Sequence, residues 1–137
     1  MEQIIVMTIK PCHLHNMRIG KKDIELRKTF PQLVTFPFKV VLCESGSGGK
    51  IMAEFICDEC YNIKPTYSGD RLVMYAKRAC VSVNDLVKYM GEDLIHGWHV
   101  YDFIDFTRTK GYSVRHISDY GLTRAPQSWC YARKEAA

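Results

Sequence analysis

Two apolar runs face each other across a short break in this chain: FKVVLCES (residues 38–45) and KIMAEFICDECYNI (50–63), separated by Gly46, Ser47, Gly48 and Gly49. A break so rich in Gly and Ser reads as a turn, so the two runs are expected to pair as a hairpin. The first run is apolar at successive positions instead of alternating, which is the pattern of a central strand covered on both faces. Whatever the fold, other elements must supply both covers.

The remaining segments are candidates for those covers. Residues 4–9, IIVMTI, form an apolar strand that Lys10-Pro11 ends, because proline suits the first turn of a helix and not a central strand. A short helix is then expected up to Gly20. Further on, Asp70 is expected to cap a helix running to about Cys80. Ser82 is expected to cap a second, in which Val83, Leu86, Val87 and Met90 recur at i, i+3, i+4 and i+7 before Gly91. WHVYDFIDF (98–106) and SWCYA (128–132) read as strands on either side of an irregular stretch from Thr107 to Gln127. Strands at both ends around a helical middle give an α+β class, a small mixed β-barrel of five to six strands with flanking helices.

No linker or repeat divides the 137 residues, so residues 1–137 are expected to form a single domain. The first apolar run is far shorter than the roughly 20 residues that span a bilayer, and no basic segment precedes it. No membrane partner is expected, and the six cysteines then read as reduced thiols of a cytoplasmic protein. The formal charge of +4 is a mild bias toward anionic partners.

One stretch carries more charge than a solvated strand needs. In GKKDIELRK (20–28), a period of two sends Ile24 and Leu26 to one side and Asp23, Glu25 and Arg27 to the other. Side chains at i and i+2 stand about 7 Å apart, so Glu25 and Arg27 could line one wall of a hollow without touching. Strict alternation puts Lys22 on the apolar side unless the strand begins only at Asp23, which would free Lys22 to turn toward the hollow. Arg27 offers a planar fork for a phosphate or a base edge, and Glu25 an acceptor for an exocyclic amine. The bland reading is a surface cross-strand pair, worth about 0.2–1 kcal/mol.

Together IKP (9–11), GKKDIELRK, VVLCESGSGGKIMAEFICDE (40–59) and APQSWCYA (125–132) resemble, in order and spacing, the ASCH domain, a relative of the PUA RNA-binding fold. The core of the likeness is G-x-K-x-x-E-x-R, here Gly20, Lys22, Glu25 and Arg27. The resemblance implies a barrel with a cleft floored by the Lys, Glu and Arg, and binding of RNA or nucleotides. Some members look like amidohydrolases of acetylated cytidine. Their pattern has threonine where Glu25 stands and a later glutamate that residues 78–81 do not match, which argues against that activity here.

The leading expectation is therefore binding of RNA, a nucleotide or a modified nucleoside by Lys10, Arg27, Ser45, Ser128 and Trp129, around Lys22 and Glu25. Trp129 is placed beside the cleft by the resemblance, with core packing as its alternative role. The second reading is a hydrolase, cleaving an amide of acetylated cytidine or an RNA phosphodiester, with Lys22 and Glu25 as catalytic groups. The third is a protein-interaction or regulatory module with no small-molecule site. Cys57 and Cys60 have the spacing of a metal knuckle, but no second pair follows at zinc-finger distance, and His13 and His15 could complete a site only if the fold brought them near. Neither a metal nor a cofactor is expected.

Overall fold

The computed structural model describes residues 3–136. Its elements in chain order are β1 (Ile4–Ile9), α1 (Pro11–Arg18), β2 (Ile24–Arg27), β3 (Phe38–Glu44), β4 (Lys50–Cys57), β5 (Cys60–Ile63), α2 (Asp70–Ala79), α3 (Val83–Met90), β6 (Ile95–His99), β7 (Tyr101–Asp105), β8 (Arg115–His116) and β9 (Trp129–Tyr131).

The Gly-rich break is the turn of the β3–β4 hairpin, in which Phe38 opposes Cys57 and Val41 opposes Glu54. These two strands are the middle of a sheet ordered β7-β4-β3-β1-β9, with β8 paired to β4. Strand β1 runs parallel to β3. Parallel neighbours need a long crossover, and the connection carries α1 and β2. Strand β2 does not return to this sheet; it joins β6 and β5 in a second one.

Successive side chains of β1 and β3 enter two different cores, as the unbroken apolar runs require. Ile5, Met7, Val40 and Leu42 meet Phe55, Trp98 and Val100 on one face. Ile4, Val6, Val41 and Cys43 meet Phe106, Ile117 and Tyr120 on the other. A third cluster, Ile63, Leu72, Ala76, Leu86, Met90 and Ile95, seats α2 and α3 on the second sheet.

The α+β class holds, while the expected barrel of five or six strands differs: among the described residues nine strands lie in two sheets that are not closed into a barrel. The reason is visible at two corners. The expected run 50–63 divides after Cys57, with β4 in the first sheet and β5 in the second. The run 98–106 divides at Val100, whose N–H donates to the Asp23 carbonyl at 2.8 Å, so that β6 and β7 lie in different sheets. Strands that switch sheets at such bends make corners between layers.

Helix caps follow the sequence in one case and not in the other. The Ser82 hydroxyl accepts from the Asp85 N–H at 3.0 Å and α3 stops at Gly91 as expected. Asp70 is instead the first residue of α2; the cap position is Gly69, with φ 61°, and no side chain caps this end. Among the described residues no helix is long and apolar enough to cross a membrane.

Candidate functional site

The start of β2 decides the site. Because the strand begins at Ile24, Lys22 is outside the pleat and turns inward, where it is 3% exposed. Its Nζ lies 3.1 Å from Glu25 Oε1 and donates to the Ala79 carbonyl at 2.7 Å. That carbonyl is one of the last four of α2, which no intrahelical donor can reach. The full set is satisfied: Ala76 by the N–H of Val81, Lys77 by that of Cys80, Arg78 by that of Asp23, and Ala79 by Lys22. The positive Lys22 thus sits at the negative end of a helix.

Glu25 is 4% exposed, and Arg27 Nη2 donates to its Oε2 at 2.6 Å. The two side chains share the polar side of β2 as the period predicts, but they touch. Burial alone would push the Glu25 carboxyl up; the Lys22 ammonium and then the Arg27 guanidinium outweigh it, and the group is held below the usual carboxylate range. Glu25 is therefore a charged acid between two cations.

Arg27 departs from its expected role. Its Nη2 also donates to the Thr8 carbonyl at 2.8 Å, and Nη1 donates to Ser128 Oγ at 3.1 Å and the Ser128 carbonyl at 3.3 Å. Four of the five N–H groups of a guanidinium are then spent inside the protein. Arg27 is a clamp tying β2 to β1 and to the residue before β9, not a free fork for a ligand. Ser128 is part of that clamp.

These groups floor a cavity of about 460 Å³, a size that suits a small ligand. Lys10, Lys22, Glu25, Arg27 and Ser45, all expected in the site, line it together. Trp129 does not. Its indole N–H donates to Thr29 Oγ1 at 2.9 Å and its ring packs edge-on against Trp98 and Tyr131, so the core role is the one it takes. Neither Tyr67 nor Trp98 lines the cavity; each packs in an apolar cluster.

Among the lining residues outside the expected binding set are three titratable ones: His13, Asp85 and Tyr89. Helical spacing could have found them. His13 stands three residues after Lys10 at the start of α1, and Asp85 and Tyr89 are i and i+4 on α3, so each pair shares a face. Burial, reinforced by the Lys22 charge, pushes His13 below its ordinary value, which keeps it neutral near pH 7. Its Nδ1 is buried without a hydrogen-bond partner among the described residues.

The chemistry on offer is therefore specific. An ammonium has three donors, and Lys22 spends two; a carboxylate has roughly four acceptor sites, and the two cations take two. A donor and an acceptor stand side by side at the floor, under apolar walls from Ile9, Leu26, Val81 and Leu86.

Cys57 and Cys60 sit where β4 passes into β5, as free thiols. Burial pushes Cys57 far up and Cys60 up to about 11, so neither is a ready thiolate. His13 lines the cavity while His15 is exposed on the other side of α1. Among the described residues no three His, Cys, Asp or Glu side chains are grouped to hold a metal ion.

No family model and no curated protein matches the chain. Solved structures do. A crystal structure of ASCH from Zymomonas mobilis aligns over 96% of this chain and 88% of its own, with a TM-score of 0.70 and 16% identity. A serine-to-alanine variant of that protein aligns over 97% and 90%, and a tyrosine-to-phenylalanine variant over 97% and 92%, each with the same score and identity. At that identity the likeness speaks for the fold: this chain has the fold of ASCH.

Proposed function

We propose, with the ASCH fold as the premise, that the cleft binds RNA, a nucleotide or a modified nucleoside through its Lys22–Glu25 floor. The observation that carries this reading is the unspent bonding capacity there, one donor beside free acceptor sites at the bottom of a nucleoside-sized hollow. The edge of a nucleobase presents donors and acceptors side by side, and its faces suit apolar walls. Three cations, Lys10, Lys22 and Arg27, against the carboxylates of Glu25 and Asp85 favour an anionic ligand.

The hydrolytic alternative asks Lys22 to act as base or nucleophile. Its ammonium is held between a carbonyl and a carboxylate, both acceptors, which arranges it as a donor. Geometry thus supports binding more than turnover by this residue.

Titration calorimetry with a panel of nucleosides, nucleotides and short RNAs tests the reading. The native protein should bind one of these classes, with affinity falling as salt rises. Lys22→Met, which keeps the stem and removes the donor, should weaken binding by about tenfold or more. Equal affinity of the native and substituted proteins, both folded by circular dichroism, would overturn it.

A further inference from the structure

The first cavity adjoins a second hollow of about 400 Å³, and the residues Thr8 and Ser45 line both. Three features of the second hollow stand out. Glu44 and Arg124 both line it, yet among the described residues neither side chain makes an ion pair or hydrogen bond. The N–H groups of Gly46 and Gly48 engage no acceptor among the described residues, and a Cβ built on either glycine meets nothing within 4 Å. At the junction, the Thr8 hydroxyl is spent on the Pro126 carbonyl at 2.6 Å, while the Ser45 side chain has no such partner among the described residues.

One further wall residue, His116, is already engaged. His116 Nδ1 accepts from the Ser118 N–H at 3.1 Å, which leaves the proton on Nε2, and this donates to the Gly48 carbonyl at 3.0 Å. The imidazole therefore latches the glycine-rich turn and offers nothing to a ligand. A Cβ on Gly49 would come within 2.9 Å of that ring, so the latch itself demands glycine there.

A guanidinium, open backbone amides and a free hydroxyl suit a phosphate, and an unpaired carboxylate beside them suits an exocyclic amine. Both groups occur on one nucleotide unit. We infer that the two hollows form one continuous site for single-stranded polynucleotide, with one base over Lys22 and Glu25, the linking phosphodiester at Ser45 between Lys10 and Arg124, and the next unit along the glycine-rich turn. This deepens the reading above and rests on it. It makes a strand of at least two units, not a lone nucleoside, the ligand for which the surface is complementary.

The test compares nucleosides with dinucleotides of the same bases, in ribose and deoxyribose forms, by calorimetry on the full chain. The dinucleotides should bind about tenfold tighter or better. Arg124→Ala, an exposed change whose folding is checked by thermal unfolding, should erase that advantage and leave nucleoside affinity, which involves no phosphate, within about twofold. A ribose preference would assign the strand to RNA, and equal affinity to single strands of either sugar; both uphold the two-unit site. Equal binding of nucleoside and dinucleotide, or an advantage that survives Arg124→Ala, would overturn the inference while leaving the first hollow's role intact. No binding of either probe would overturn both.

Discussion

Two clusters of the same chemical groups begin on neighbouring residues and come to opposite ends. Glu25 lies between Lys22 and Arg27 with side-chain exposures of 5%, 1% and 12%. Asp23, two residues earlier, receives Arg78 Nε and Nη2 at 3.0 Å and lies 3.7 Å from His99, but at 44% and 28% exposure for the acid and the guanidinium. Pairing of charges is common to both; exclusion of water is not. In the inner cluster a hydrogen bond to a polar guest forms in largely buried surroundings and counts for more, whereas in the outer one solvent screens it.

The comparison is sharpest for loss of an acid. Glu25→Ala leaves two buried cations without a counter-charge and should cost about 3–5 kcal/mol in urea unfolding. A loss below about 1 kcal/mol would mean that water reaches them, and the contrast would vanish.

A smaller effect should appear in acid. Because Glu25 is held below its ordinary value of 4.5, its contribution is complete above that pH and is lost as pH falls through its own lower value. His13 acts in the same sense from 6.5 downward, since the unfolded chain takes up its proton first. Stability measured from pH 7 to 3 should therefore fall more steeply in the native protein than in Glu25→Gln. Parallel curves would show that the acid limb arises elsewhere, with Asp105, also held low, as the next group to examine.

The smallest change belongs to the outer cluster. Arg78→Ala should cost about 1 kcal/mol or less despite two-pronged geometry, because the pair is screened by solvent. A cost near that of Glu25→Ala would erase the distinction between the two regions.

Much of this was legible from residue order. The break at 46–49 fixed a hairpin, the unbroken apolar pattern of β3 announced two covers, and Ser82 with Gly91 bounded α3. The period of two placed Glu25 and Arg27 together. What residue order could not show was the partner of each polar group across the chain. Arg27 is consumed by carbonyls of Thr8 and Ser128, and a carbonyl carries no mark in a sequence. Trp129 read equally well as a stacking platform or a core residue, since its ring suits both. The breaks at Cys57 and Val100 were hidden because an apolar run looks the same whether it stays in one sheet or turns a corner.

The end of α2 obtains the partners for its last two carbonyls from the Asp23 N–H and the Lys22 side chain. Fraying, the ordinary fate of a terminal helical turn, is therefore not a local event here: releasing that turn also releases the Lys22 ammonium. Amide exchange at residues 76–81 becomes a reporter of the hollow's occupancy, since any guest that holds Lys22 in place raises the free energy of opening by RT ln(1 + L/Kd), where L is its free concentration.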